Sequence, residues 1–204
     1  MNDTIPTRNR LLAAARKLFA EKGFDAATVR EITGRAGANL GAITYHFGSK
    51  QALYHTVLEQ VFGDLAQRIE AAAAVPGTAD RRLRAIVHAF FEFFAEFPEA
   101  PRLMLHELAI GRPPPEATWP FLRRNLATIT DVIRSAQAAG ELSATEPLLT
   151  AFSIVSQSVW FAVAGHHFTR VVGLPLDPTA LAPRVEQHVG DVVCNALLAW
   201  KEPT

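Results

Sequence analysis

The sequence predicts an all-α fold, and three observations support this prediction. Apolar residues recur at intervals of three and four along most of the 204 residues, whereas the alternating β-branched runs typical of strands are rare. Residues that favour helix starts and stops stand at the ends of these apolar stretches. Nearly half of the residues, 49%, are hydrophobic, so a sizeable core can be buried. We therefore expect an N-terminal three-helix domain with a helix-turn-helix, followed by a C-terminal helical bundle.

The second helix is predicted from its boundary residues. Thr28 and Glu31 have the spacing of a capping box, in which the Thr hydroxyl and the Glu carboxylate each accept a backbone N–H of the first turn. That helix is expected to stop near Ala36, because Gly37 follows where a left-handed residue is favoured.

A compact third helix is expected directly after a short turn. Residues 37–39 form the turn, and the segment 40–46 contains small residues at Gly41 and Ala42 that let two helices approach closely. Two short helices joined by such a turn are typical of the motif that reads DNA.

Longer helices are expected on both sides of this motif. A first helix covers residues 7–22 and is ended by Gly23. Ser49 caps a helix that continues through Ala74, where proline and glycine follow. This long helix is the natural connection between the N-terminal motif and the remainder of the chain.

The remainder reads as a set of amphipathic and apolar helices. The helix that begins after Thr78 carries several Phe residues and is apolar on more than one stripe, which predicts that it is buried or lines a cavity. A stiff, proline-rich loop is expected at 111–115. The other expected helices cover residues 102–110, 118–139, 147–168 and 178–200.

The last two helices carry more apolar surface than one partner can cover. Two readings stay open: a second copy covers the surplus in a four-helix interface about a two-fold axis, or the residues pack within the monomer. The residues in question are Phe152, Val155, Val159, Val163, Leu181, Val185, Val189, Val192, Val193 and Leu197.

Charge is distributed unevenly along a chain with no net charge. Residues 1–50 hold eight basic and four acidic side chains, so the remainder is correspondingly acidic. A basic N-terminal region favours contact with a polyanion such as DNA, although such segregation is a weak signal alone.

Several other functions find no support in the sequence. Cys194 is the only cysteine, which excludes internal disulfides and indicates a buried hydrophobe more than a reactive thiol. The neighbouring pairs His106–Glu107 and His166–His167 invite a metal interpretation, but adjacent residues on a helix diverge in direction, so we expect no metal. No nucleophile elbow, phosphate loop or H-E-x-x-H is present, so we expect neither an enzyme nor a cofactor.

No membrane span is expected either. We expect no window to reach the ~18 apolar residues that a span requires, and the sequence predicts a cytoplasmic protein.

The N-terminal quarter resembles the tetracycline-repressor (TetR) family of bacterial regulators. The likeness covers residues 7–55 and rests on several spaced motifs in the right order. These are LAAARKLF at 12–19, GF at 23–24, TVREI at 28–32, AG at 36–37 and YHFGSK at 45–50. The resemblance implies an all-α homodimer with a DNA-binding domain at 1–49, a connecting helix at 50–74 and a ligand-binding and dimerisation domain at 75–204.

The candidate DNA contacts divide into base-reading and phosphate-binding residues. Side chains that enter the major groove distinguish base edges, whereas phosphate contacts orient the protein without choosing a sequence. The base-reading candidates are Asn39, Leu40, Gly41 and Thr44. The phosphate candidates are Thr28, Arg30, Tyr45, His46 and Lys50, with Tyr45 and His46 carried over from the family motif.

Alternatives remain at individual positions of the motif. Asn39 either contacts DNA or caps the third helix, and Thr44 either reads a base or holds a phosphate. Leu40 is a candidate for contact with a thymine methyl group. Many relatives carry Lys at position 40 and Tyr or Asn at position 44, so the resemblance implies no base preference. Arg8 and Arg10 either add phosphate contacts or lie on a solvated helix face.

Aromatic residues of the C-terminal part suggest an apolar cavity with a few polar groups. At any single position a core role is the more common one. The candidates are Phe90, Phe94, Phe97, Met104, His106, Glu107, Trp119, Phe121, Phe152, Gln157 and Trp160.

The sequence therefore predicts a ligand-responsive transcriptional regulator. We expect a repressor that binds a palindromic double-stranded operator as a dimer and is released by a small apolar effector of unknown identity. The competing hypothesis is a helical ligand-binding or scaffold protein with a vestigial DNA motif.

Overall fold

The computed structural model describes residues 6–109, 116–171, 173 and 178–197, except for the side chains at 106–109, 117, 166–170, 178–181 and 196. This part of the chain is helical, with a short 3₁₀ turn at Glu116–Thr118. The α-helices are α1 (Thr7–Ala26), α2 (Val29–Arg35), α3 (Ala42–Phe47), α4 (Lys50–Ala73), α5 (Ala79–Glu96), α6 (Ala100–Ala109), α7 (Trp119–Ala138), α8 (Pro147–Val171) and α9 (Pro178–Leu197).

Contacts between residues divide the chain into two units. The first contains Met1–Gly63 and Phe97–Pro120, and the second contains Asp64–Glu96 and Phe121–Thr204. Helix α4 contributes to both units. The predicted functional boundaries at 49 and 75 are a different kind of division, which these contact units do not test.

The capping box that the sequence predicts is present at the start of α2. The Glu31 backbone N–H donates to Thr28 Oγ1 at 3.2 Å, and the Thr28 N–H donates to Glu31 Oε2 at 3.0 Å. The helix ends as expected, since Gly37 adopts a φ of +60° directly after the C-cap residue Ala36. These local interactions fix the direction in which the chain enters the turn before α3.

One of two glycine-marked helix boundaries in the first unit differs from its predicted position. The first helix is interrupted at Gly23 as predicted, since Gly23 is non-helical with φ +78° and ψ 174°, and a short helical stretch follows this kink up to Ala26. The third helix begins at Ala42, two residues later than expected, because Gly41 is its N-cap residue. The sequence identifies the glycines at these breaks. A glycine at a break does not show how many residues lie between it and the next helical turn.

The first unit is closed around α1. Leu11, Leu18 and Phe19 of this helix are almost fully buried, and α2, α3 and α6 all contact it. Ser49 caps α4 as expected, since its Oγ accepts the Ala52 N–H at 3.0 Å. The core therefore holds the two short helices of the motif against the first helix.

The second unit is built on α5, α8 and α9, which contact one another pairwise. The aromatic side of α5 is buried, as its apolar pattern predicted, and the rings of Phe90 and Phe94 lie 6.0 Å apart. On its polar side, Arg84 binds Asp191 of α9 at 2.7 Å. Pro183 lies inside α9 near the start of that helix.

Helix α8 corrects the expectation that no stretch is long and apolar enough for a membrane span. Pro147–Gly165 has 19 residues with a mean hydropathy of 1.5, and 28% of it is buried within the chain. Scattered Ser, Thr and Gln residues interrupt its apolar run without adding charge, which is why the sequence argument missed it. One such helix is weak evidence for a span, since helices of soluble proteins satisfy the same criterion.

Candidate nucleic-acid interface

Helix α3 presents one apolar side to the core and a mixed side to solvent. Ala42 and Ile43 are buried, and they anchor the helix against the first unit. Thr44 is exposed, Tyr45 is 85% exposed, and Leu40 in the turn just before the helix is 59% exposed. Large apolar or aromatic side chains that are exposed to water beside a polar one are typical of a surface that contacts another molecule.

The structure bears on the alternative roles of Asn39. Asn39 is exposed before α3, and the N-cap position of that helix is occupied by Gly41, which makes no side-chain capping hydrogen bond. The backbone carbonyl of Asn39 accepts the Ala42 N–H at 3.1 Å. The capping role is therefore not supported, and contact with DNA stays a prediction.

A concave surface of about 530 Å³ brings several of the predicted residues together. It lies between the start of α1, the turn after α2 and the exposed side of α3. The residues that line it are Thr7, Arg10, Gly37, Ala38, Asn39, Gly41, Ala42, Tyr45 and His46.

The predicted phosphate-binding residues at the start of α2 have different surroundings. Thr28 Oγ1 accepts a backbone N–H and also donates to Glu31 Oε2 at 2.8 Å, so this hydroxyl serves the helix cap. Arg30 is exposed in the next turn. Of these two side chains, Arg30 is the one left available for an anion.

Two basic residues of the first unit are neutralised within the chain. Lys22 binds Glu31 at 2.5 Å, and Arg35 binds Glu21 at 2.8 Å. The hydrogen bond from Lys22, together with those from Thr28, lowers the pKa of Glu31 to about 2. The hydrogen bond from Arg35 likewise lowers the pKa of Glu21. Basic composition therefore overstates the charge that this unit can offer to DNA.

The remaining cations near the motif fall into two groups. Arg10 is held by structure, because its Nε donates to the Ala36 carbonyl at 3.0 Å and ties α1 to the end of α2. Arg8 and Lys50 instead lie over the rings of Phe47 and Phe24. The sequence did not separate these roles, since each depends on residues distant in the chain.

Comparison with known proteins agrees with this geometry. Residues 11–57 match the family model described as bacterial regulatory proteins, tetR family. The HTH-type transcriptional regulator UidR of Escherichia coli is 30% identical over 146 residues, which is 68% of this chain and 70% of that protein. The chain belongs to the tetR family. This confirms the resemblance seen in the sequence.

Two further comparisons define the extent of the likeness. The HTH-type transcriptional activator FasR of Mycolicibacterium smegmatis is 34% identical over 106 residues. This match covers 52% of the chain and 48% of FasR, so the chain spans about half the length of that tetR-type relative. A tetR-family regulatory protein from Rhodococcus RHA1 has the same fold, with a TM-score of 0.78, 20% identity, and coverage of 97% of this chain and 100% of that one.

The predicted ligand-binding residues of this tetR-family chain have varied environments. Phe90, Phe94 and Met104 are buried, whereas Phe97, Phe121 and Gln157 are half-buried. Trp119 is 36% exposed. The side chains of His106 and Glu107 lie outside the described residues, as do those of His166 and His167.

Two of the pocket candidates lie on an exposed apolar side of α8, and one of them, Phe152, is also a candidate for the interface between copies. Phe152 is 58% and Trp160 is 55% exposed, and Leu149 beside them is 65% exposed. Residues 149, 152 and 160 fall on one side of a helix with 3.6 residues per turn. This surface suits contact with another protein surface better than an enclosed cavity.

Sequence reasoning missed one polar side chain of α7. Asn125 is only 6% exposed, and its Oδ1 has no hydrogen-bond donor among the described residues. Its position, four residues from both Phe121 and Ile129, places it on the inward side of the helix. The signal was available in the sequence as one amide within an otherwise apolar pattern.

Proposed function

We propose that the chain is a ligand-responsive transcriptional regulator, and specifically a repressor that acts in the cytoplasm as a homodimer on a palindromic operator. The observation that carries this proposal is the exposed surface formed by Thr44 and Tyr45 of α3 and by Leu40 in the turn before it. In the same unit Arg30 is exposed, and Lys50 contacts the Asp25 carbonyl and the Phe24 ring; among the described residues neither side chain pairs with a carboxylate. A helix of this kind can enter the major groove while nearby cations hold the phosphates.

The exposed apolar side of α8 supports the homodimer. Leu149, Phe152 and Trp160 would be covered by the same surface of a second copy across a two-fold axis. Val159, Val189 and Val193, which the sequence also offered for this role, are buried within the monomer. We thus assign Phe152 and Trp160 to the dimer interface rather than to the ligand pocket.

The effector would act on the spacing of the two α3 helices. A dimer engages successive major grooves only when these helices lie about 34 Å apart, one turn of DNA. A ligand releases the operator only if it binds another spacing more tightly. The C-terminal domain at 75–204 would hold this ligand and transmit its effect through the connecting helix. Phe90 and Phe94 are the buried candidates for contact with an apolar effector.

Binding to the DNA upstream of the chain's own gene tests the proposal. The full chain should bind a labelled promoter fragment more tightly than a base-shuffled fragment of the same composition, and both affinities should fall as salt rises. Equal affinity for the two fragments, or no salt dependence, would refute the regulator and favour the helical ligand-binding or scaffold protein.

A further inference from the structure

Two cations of the first unit rest on aromatic rings rather than on carboxylates. Lys50 Nζ lies 4.4 Å from the centre of the Phe24 ring, and the guanidinium carbon of Arg8 lies 5.1 Å from the centre of the Phe47 ring. Lys50 also donates to the backbone carbonyl of Asp25 at 3.4 Å. A ring and a carbonyl carry no net charge, so these contacts do not neutralise the positive charge of either cation. Both cations can therefore still attract an external anion.

Lys22 and Arg35 show the opposite arrangement within the same unit. Each forms an ion pair with a glutamate. Such a cation must leave or share its carboxylate before it can bind a phosphate. A cation on the face of a ring keeps that attraction while its other side stays open.

The Phe24 ring is a fixed support for Lys50. Gly23 leaves helical geometry just before it, and Phe24 then packs against Phe19 and Tyr54 with ring-centre distances of 6.0 and 5.0 Å. Phe19 and Tyr54 are both buried in the core. The ring therefore has a defined position, and contact with it can order the flexible side chain of Lys50.

The Phe47 ring supports Arg8 in a comparable way. Phe47 is the last residue of α3 and is half-buried, so its position follows from that of the helix. Arg8 lies in the first turn of α1 and is exposed. The contact brings a cation from the start of the chain to the end of the helix that would read DNA.

We propose that Phe24 and Phe47 are positioning residues that hold Lys50 and Arg8 ready for phosphates of the DNA backbone. Lysine and arginine side chains lose rotamer freedom when they bind, and a side chain already ordered on a ring loses less. The inference rests on the proposed DNA-binding function. It adds two residues that need not touch DNA, and it decides the role of Arg8 that the sequence left open.

Binding of the full chain to a random-sequence duplex of 30 base pairs, followed by fluorescence anisotropy over a range of KCl concentrations, tests these roles. Phe24→Leu should weaken binding about two- to fivefold at fixed salt. It should leave the slope of log affinity against log salt unchanged, because no charge is lost. Lys50→Ala should make that slope shallower by about 0.9 for each phosphate contact that is lost.

Double variants separate positioning from general support of the fold. Phe24→Leu should have no further effect in the Lys50→Ala background but its full effect in the Arg8→Ala background. Phe47→Leu should show the reverse dependence, with Arg8 as its partner. An equal factor in both backgrounds would overturn the proposal, since a ring that only stabilises the unit acts on every contact alike.

A fluorinated ring keeps the test decisive if Leu disturbs packing. Pentafluorophenylalanine at position 24 preserves the shape of the ring and reverses the charge distribution on its face. It should weaken binding as Leu does, and unchanged affinity would refute the proposal. If the unsubstituted chain shows no salt-dependent binding to the duplex, the DNA-binding function itself fails. If it binds but all effects are additive, only the positioning roles fail.

Discussion

Glu31 links the cap of α2 to a basic side chain of α1. Its carboxylate accepts the Thr28 N–H, and it also binds Lys22 at 2.5 Å. One carboxylate thus closes the capping box and neutralises a cation that the composition had offered to DNA. At the scale of single residues, charge counts predict function poorly because partners of opposite charge are brought together by the fold.

The lowered pKa of Glu31 predicts a pH dependence of stability. The pKa falls from 4.5 to about 2 in the folded chain, so the stabilising contribution is present above pH 4.5 and is lost as pH falls toward 2. Glu31→Gln removes the titration and keeps a residue that suits a capping box. The difference in free energy of unfolding between wild type and Glu31→Gln should shrink as the pH is lowered. Urea unfolding followed by circular dichroism at pH 7, 4 and 2.5 measures this difference. A constant difference would contradict this role.

The structural roles of residues in the motif were predictable where they depend on neighbours in the sequence. The cap at Thr28, the left-handed Gly37 and the cap at Ser49 each depend on hydrogen bonds within a few residues. The contacts of Lys50 with Phe24 and of Arg8 with Phe47 join residues that are 26 and 39 positions apart. No rule of sequence spacing connects such pairs, so these contacts could be identified only from the structure.

Helix α2 contains a glycine that its own structure does not require. Gly34 has no positive φ, and a Cβ added there would meet nothing within 4 Å. Gly34→Ala should therefore raise the free energy of unfolding by about 1 kcal/mol, through the better helix propensity of alanine. Chemical denaturation measures this change.

Gly37 provides the matched control for Gly34. Its surroundings are equally open, but its φ is +60°. Gly37→Ala should destabilise the chain by about 1–2 kcal/mol, since a side chain is strained in that region. If both substitutions shifted stability in the same direction, backbone conformation would not be the deciding factor.

The buried amide of α7 predicts a stabilising substitution. Asn125→Leu replaces an acceptor that has no donor in the described part of the chain by an apolar group of similar shape. When measured in the absence of any ligand, the free energy of unfolding should rise by about 1–3 kcal/mol. Asn125→Ala is the control, because it leaves a cavity and should not stabilise to the same extent. A loss of stability in Asn125→Leu would show that the amide is satisfied by another group.

Helix positions were predicted more accurately than helix surroundings. The apolar period located α5, α7, α8 and α9 within a few residues of their bounds. It does not show which apolar side of α8 the chain itself covers, so the sequence leaves Phe152 a candidate for both the pocket and the interface between copies, and the structure shows it and Trp160 exposed in the monomer. Periodicity reports that a side is apolar, and only the packing of neighbouring helices shows what lies against it.

At the scale of the whole molecule, the exposed side of α8 predicts a homodimer. Phe152→Glu with Trp160→Glu would place two charges of the same sign on each side of a two-fold interface, which disfavours association. Sedimentation equilibrium should show a dimer for the wild type and a monomer for this variant. Ala138→Glu, at an exposed position on α7, is the control and should remain dimeric. A monomeric wild type would contradict the assignment of this surface.

We propose that α3 chooses the DNA sequence while cations beside it hold the DNA backbone. The most direct test compares Thr44→Ala and Lys50→Ala on the chain's promoter fragment and on a base-shuffled fragment, by fluorescence anisotropy in one buffer. Lys50→Ala should weaken binding to both fragments by the same factor, because phosphate contacts do not depend on sequence. Thr44→Ala should change the ratio of the two affinities. An unchanged ratio for Thr44→Ala, or a changed ratio for Lys50→Ala, would contradict the account.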